Sequence, residues 1–405
     1  MVYVLRQIGI NLVLILSLFS CISPQQETKQ ENEIKVISST NHMAHSVYLT
    51  KNQAGIPVIG WTEQDTTENK QKYFYFSVLD SASNDFKNKL LIPIAQHAAL
   101  HTEGMPKIAF KETGEIVAVF EVKLESEFNP YAGEIHYIVS KDGGKHWSAP
   151  QVVHSSRAAH KGRAFFDMIT LADGEIGISW LGESYADGGR PVMFAKTNTA
   201  NTFVNELMVD SMACECCRTA IYADKDGTTS IVYRDIINNS IRDISVSVSH
   251  DHGNSFSDPV CFSGDHWNIN GCPHNGPDVV SDKYNIYATW FTGGDESGVY
   301  YAKLNKQTLD TEKQLISKDA RNIQLTPDSG SSVVVYNESY SNQGEFYARI
   351  VAMNTESEQK TLINDKNKRS HSPVIIEWEG KNIISWIENY GNVDVIAYSL
   401  MEWNN

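Results

Sequence analysis

Ile176-Gly-Ile-Ser-Trp180 is a short apolar run that ends in an aromatic, and the chain returns to this form six more times. The other copies are Ile56-Pro-Val-Ile-Gly-Trp61, Ile116-Val-Ala-Val-Phe120, Ser230-Ile-Val-Tyr233, Ile286-Tyr-Ala-Thr-Trp290, Val333-Val-Val-Tyr336 and Ile383-Ile-Ser-Trp386. Their aromatics are separated by 59, 60, 53, 57, 46 and 50 residues. A second short apolar run and a Gly or Asp turn precede most of them, as in Ala109-Phe-Lys-Glu-Thr-Gly114 and Thr170-Leu-Ala-Asp-Gly174. A third run follows, such as Glu134-Ile-His-Tyr-Ile-Val139 or Ile241-Arg-Asp-Ile-Ser-Val-Ser-Val248. No window sustains a helical period over the 10 or more residues that a helix requires, so these runs read as strands. Three or four strands at such a period predict one blade of a β-propeller per repeat. The fold class is all-β.

Two repeats carry a further signature. Ser140-Lys-Asp142-Gly-Gly144-Lys-His-Trp147 and Ser249-His-Asp251-His-Gly253-Asn-Ser-Phe256 share the pattern Ser-x-Asp-x-Gly-x-x-aromatic, and each is followed by Ser-x-Pro. Asp caps backbone N–H groups, Gly takes a conformation other residues resist, and the aromatic plugs the hairpin into its blade. The pattern resembles the Asp-box, or BNR repeat, of sialidases and related propellers, where it is structural and lies away from the active face. That resemblance implies a propeller of the sialidase superfamily type. Sialidases have six blades; the seven repeats favour seven, with six as the alternative. The last repeat, 372–401, shows three strands, and Glu33-Ile-Lys-Val-Ile-Ser38 is placed to add a fourth and close the ring without a free edge.

Composition removes other classes. The 405 residues include 49 acidic and 34 basic ones, 41% hydrophobic and 10% aromatic, for a formal charge of −15. That is the globular range, and the negative balance argues against nucleic acid, which needs Lys/Arg clusters. Residues 1–20 hold Arg6 and then an apolar run from Ile8 to Phe19, shorter than the roughly 20 residues that cross a bilayer. The run reads as a secretory signal. Its end, Leu18-Phe19-Ser20-Cys21, resembles the lipobox of bacterial lipoproteins, which implies a lipid on Cys21 after cleavage. Residues 21–33 are a polar tether that buries nothing. The expectation is a monomer of one propeller domain, residues 34–405, held at the cell envelope by lipid.

In a propeller, the loop leading into each blade and the loop after its second strand share one face, around the channel mouth. Just after the repeat aromatics stand Glu63, Glu121, Glu183, Asp235, Glu338 and Glu388. Such acids are usually a solvated strand end, or else a ring facing a cation or a sugar. In the segments that lead into blades stand His42 and His45, His101, His160, Cys214-Glu-Cys216-Cys217, Cys272 with His274, and His371. His97, His154 and His266 lie near them. Convergent thiols and imidazoles suit copper or zinc, with Cys214, Cys216, Cys217, Cys272 and His274 as ligands. Outside the cytoplasm thiols also pair, so Cys272 bridging to one of the three, with Cys261 taking another, is the competing reading.

A finer resemblance covers about 80 residues. Cys214-Glu-Cys-Cys-Arg-Thr219, Tyr233-Arg-Asp235, Trp267-Asn-Ile-Asn-Gly-Cys-Pro-His-Asn-Gly-Pro277 and Trp290-Phe-Thr292 look like a group of secreted bacterial sialidase-like proteins. Exo-sialidases use three arginines to clamp a carboxylate, a Tyr nucleophile with a Glu, and an Asp acid/base. Resemblance to them implies catalytic roles for Arg163, Arg218, Arg234 and Asp235. Asp167 is the alternative to Asp235 as the acid, Tyr233 or Tyr336 the nucleophile, and Arg369, Glu338, Glu388 and Asn275 the ligand contacts. The segment leading into the first blade, His42-Met-Ala-His-Ser-Val47, lacks the family's first arginine. Three functions follow: an anchored propeller that binds or hydrolyses a glycan, an envelope metal or redox propeller, and a scaffold whose cysteines staple blades.

Overall fold

The computed structural model describes residues 28–29, 33–156, 158, 160–185, 188–271, 273–328, 331–364 and 367–403. Cys21, Cys272 and nearly all of the leader and tether lie outside them. Seven antiparallel sheets of four or five strands follow one another along the chain. Blade one begins with His42–Lys51 and Pro57–Asp65, blade two with Lys107–Phe110 and Ile116–Lys123, and blade three with Ala164–Thr170 and Ile176–Leu181. Blade four begins with Ala220–Ala223 and Thr229–Arg234, and blade five with Asp278–Ser281 and Asn285–Thr292. Blades six and seven begin with Ala320–Asp328 and Ser331–Asn342, and with Ser370–Trp378 and Lys381–Asn389. The second strand of every blade carries one repeat aromatic. Each of the seven is at most 1% exposed, because successive blades face one another and bury both sides of that strand.

The count is seven, and the ring closes with the N-terminus. Lys35–Val36 pairs antiparallel with Asp394–Met401, Lys35 opposite Tyr398 and Val36 opposite Ala397. Ser38 Oγ accepts the Ile396 N–H at 2.8 Å and extends the seam. Thr28–Lys29 adds a short parallel strand to Lys360–Leu362 of blade six.

The two Asp-boxes join third to fourth strands. Asp142 Oδ1 accepts the His146 N–H at 2.9 Å, and Ser140 Oγ accepts the Gly144 N–H at 2.8 Å. Asp251 and Ser249 make the same bonds with Ser255 and Gly253. Gly144 and Gly253 have φ of 90° and 75°, and a Cβ would strike Phe76 at 2.7 Å and Phe194 at 2.6 Å. Only glycine satisfies both the conformation and the space there. The opposite face is the one assembled from the blade-leading loops and the loops between second and third strands.

Candidate functional site

Side chains alternate across a strand, so a carboxylate two residues after an aromatic shares its side and one a single residue after it does not. Glu63 stands two after Trp61 and accepts that indole N–H at 2.7 Å. His42 and Lys89 close around it at 2.8 and 2.7 Å. Burial alone would raise the Glu63 carboxyl, yet Lys89, Trp61 and His42 together hold it below its ordinary value. Glu388 stands two after Trp386, and its carboxylate accepts the Trp386 indole at 3.0 Å and the Asn364 amide at 3.2 Å. Glu338 is taken by Arg349, and Glu183 pairs with Lys161. These acids tie down blade ends.

Glu121 differs. It follows Phe120 by one residue and turns into a cavity of about 940 Å³ on the mouth face. The loops leading into blades two to five, and those after the second strands of blades two and three, wall this cavity. They contribute His97, His101, Tyr131, Arg163, Phe165, Arg190, Glu215, Cys216 and His274, while Lys72 comes from blade one. A second recess of about 770 Å³ shares Lys72, His97, Lys123 and Pro130 and continues along 124–129, so the two form a groove.

Burial pushes the Glu121 carboxyl up to about 7, against the Phe165 N–H and the charges of Arg190 and Lys107, which pull it down. Its Oε1 accepts the Phe165 N–H. Phe165 has φ of 61°, in the left-handed region, and it lies where the first strand of blade three breaks register. That irregular backbone aims its N–H at the carboxyl. Beside Glu121, His101 Nδ1 accepts the Gly104 N–H at 3.0 Å, which leaves the neutral ring's proton on Nε2. Desolvation lowers the His101 pKa, so the neutral ring persists. A Cβ on Gly104 would lie 2.6 Å from Glu121 Oε2 and 2.7 Å from His101 Cε1. The glycine therefore gives both side chains their room. A carboxyl that titrates near neutral pH beside a fixed N–H donor is equipped for general acid–base chemistry.

Two buried groups hold the mouth in shape. Arg190 donates to Gly182 O and Gly162 O, both at 2.6 Å, and to Glu215 O at 3.3 Å, joining three loops. Glu103 accepts the N–H groups of Arg218 and Gly276 at 3.0 and 2.9 Å, and the Arg218 guanidinium at 2.5 Å. A Cβ on Gly276 would meet Arg218 O at 2.5 Å, which is why the Asn275-Gly276-Pro277 step needs glycine. At the cavity's edge, the sulfurs of Cys214, Cys216 and Cys217 lie within 4.8 Å of one another, all buried, with Phe165 packed against them. Hydrogen bonding among the three thiols lowers the pKa of Cys214 and raises those of Cys216 and Cys217. His274 lines the same cavity but is not within that cluster.

The sequence profile of the BNR repeat-like domain matches residues 61–280, more than half of the chain. The chain belongs to this family. No curated protein matches it in sequence. Among solved structures, a polysaccharide lyase acting as an ulvan lyase aligns with TM-score 0.55 at 9% identity, covering 93% of this chain and 96% of the lyase. The intramolecular trans-sialidase of Ruminococcus gnavus aligns with TM-score 0.52 at 8% identity, covering 92% and 97%. A protein of unknown function from Dyadobacter fermentans aligns with TM-score 0.50 at 16% identity, covering 76% and 95%. At these identities the likeness is one of fold.

Within this BNR repeat-like propeller, the arginines expected to clamp a carboxylate do not converge. Arg234 is 1% exposed and donates to the carbonyls of Arg242, Asn275 and Phe291. Arg218 serves Glu103, and Arg163 donates to Ser156 Oγ and Ala158 O. Arg369 is on the surface, against Glu345 and Phe346 O. Asp235 accepts from Ile236 N and Ser245 Oγ in its own blade, and Asp167 from Lys107 and Ile221 N. The Asn275 amide donates to Asn322. Tyr233 and Tyr336 are wholly buried. Of the residues singled out in the sequence, the cavity lining takes His97, His101, Glu121, Arg163, Cys216 and His274. Arg190 and Phe165 escaped notice, since neither stands at a repeat position that carries a pattern.

Proposed function

We propose that the protein binds and processes a glycan in the mouth groove of blades one to five, with Glu121 as the acid–base group and His101 as a hydrogen-bond donor. The observation that carries this reading is the one-residue offset that turns Glu121 into a cavity of about 940 Å³, the size range of small-molecule sites. Tyr131, 84% exposed at the rim, and Phe165 offer rings on which a sugar face can lie. The groove formed with the second recess suits an oligosaccharide more than a single sugar. Fold neighbours that are a polysaccharide lyase and a trans-sialidase support carbohydrate as the ligand class. Near neutral pH Glu121 is divided between its two forms, so it can give a proton to a leaving oxygen or take one from substrate. The test is a panel of neutral and acidic oligosaccharides, read by calorimetry for binding and by product chromatography for turnover. A substrate whose turnover vanishes in Glu121→Gln while binding persists supports the reading. If no member binds or is turned over, the reading fails.

We also propose that Cys21 carries lipid and holds the propeller at the cell envelope. The apolar run 8–19 before Ser20-Cys21 and the polar tether support this. Mass spectrometry of the N-terminal peptide checks it, and an unmodified Cys21 in membrane-fractionated cells would refute it.

A further inference from the structure

The carbohydrate chemistry leaves three buried thiols without a task. Cys214, Cys216 and Cys217 each offer one sulfur, and the three atoms lie within 4.8 Å of one another. Sulfurs about 2.3 Å from a common ion in a trigonal plane would stand ~4 Å apart, so the observed spacing admits that geometry with little or no movement. The backbone is already set: the Cys214 N–H is bonded to Arg234 O at 2.8 Å. Phe165 covers one side of the cluster, and Cys216 alone of the three lines the mouth cavity. The pocket of sulfur is therefore dry on one side and open to an incoming ion on the other.

Charge points the same way. Among the described residues, the buried Arg234 guanidinium donates only to carbonyls, and its Nε has no partner. The Cys214 N–H bond to Arg234 O sets that residue against the cluster, and the Arg190 guanidinium reaches Glu215 O, next to Cys216 in the chain. A buried guanidinium without a carboxylate partner is compensated when anionic sulfur stands beside it. Three thiolates, in turn, are held together only by a cation between them. Soft sulfur donors select zinc or cuprous copper over calcium, magnesium or manganese.

We propose that Cys214, Cys216 and Cys217 form a three-sulfur site for a thiophilic closed-shell cation, zinc or cuprous copper, at the edge of the groove. On binding, each coordinated thiol releases its proton to solvent as a metal–sulfur bond forms, and no electron is transferred. The site does not depend on the carbohydrate reading, and its test reads metal rather than turnover.

The full chain, stripped of metal under reducing, oxygen-free conditions, is titrated with Zn(II) and separately with Cu(I), each against a chromophoric chelator. The expected result is one equivalent bound per chain, with affinity falling at least ~10-fold in Cys216→Ser. The two titrations decide which ion the site prefers. Cys261→Ser, on the exposed outer strand of blade four, leaves uptake unchanged. X-ray absorption on loaded wild-type protein, which needs no variant to fold, shows three sulfur neighbours at about 2.3 Å. Uptake of neither ion, uptake indifferent to Cys216→Ser, or a disulfide among the three in protein purified without oxygen would each overturn the proposal.

Discussion

In blade two the carboxylate stands one residue after the buried aromatic, at Glu121; in blades one and seven it stands two after, at Glu63 and Glu388. The strands are otherwise alike, and each aromatic is buried between blades. Because strand side chains alternate, the shorter step places the acid in the mouth cavity and the longer step places it under the indole of its own tryptophan. The outcome is opposite electrostatics at equivalent positions. Glu63 is held low by Lys89, Trp61 and His42, against its burial, and Glu121 is pushed up to about 7 by burial, against the Phe165 N–H and the charges of Arg190 and Lys107. A repeat fold can thus carry stability in most blades and chemistry in one.

The largest expected effect breaks the comparison at its functional side. Glu121→Gln should lower turnover of the true substrate ~10²–10⁴-fold with binding retained, whereas Glu388→Gln should leave turnover within a few-fold. Steady-state kinetics on both variants decides this; equal losses would make the offset irrelevant.

The next effect lies in pH dependence. Because the folded value of Glu121 lies above its ordinary 4.5, its contribution to stability is complete below 4.5 and disappears as pH rises through about 7. Glu121→Gln should remove that loss, on the order of 3 kcal/mol, so the variant should gain on wild type in denaturant melts between pH 5 and 8. Glu63 has the opposite sign. Its folded value is lowered, so its contribution is present above 4.5 and lost as pH falls through the lowered value. Glu63→Gln should narrow the gap to wild type only in acid.

Two smaller effects sharpen the structural side. Glu388→Ala removes the acceptor of the Trp386 indole and the Asn364 amide, for a cost of about 2 kcal/mol by chemical denaturation. Gly104→Ala adds a Cβ against Glu121 and His101, and should cost about 1 kcal/mol with a shifted pH–activity profile. Unchanged profiles in that variant would separate His101 from the chemistry.

Much of the fold was legible in the sequence because each blade buries one aromatic at a fixed place. Trp61 through Trp386 mark the seven second strands, and 33–38 supplied the closing strand through Lys35–Val36. The mouth face and the crowding of Cys214, Cys216 and Cys217 also followed from position within the repeat. The fate of the arginines did not. Whether Arg234 faces a ligand or three carbonyls depends on segments 8, 41 and 57 residues away, which no local pattern encodes. Arg190 binds loops at 162, 182 and 215 and has no motif of its own. The offset of Glu121 was visible in the chain, but its meaning needs the knowledge that blades three and four wall the other side of that strand end.

The acid–base chemistry proposed for the mouth depends on Glu121 being a carboxyl tuned to neutral pH. Infrared titration of the carboxyl stretch, wild type minus Glu121→Gln, tests it most directly. One difference band with a midpoint near 7 is expected. A midpoint near the ordinary 4.5 would show an open, solvated acid and would contradict it.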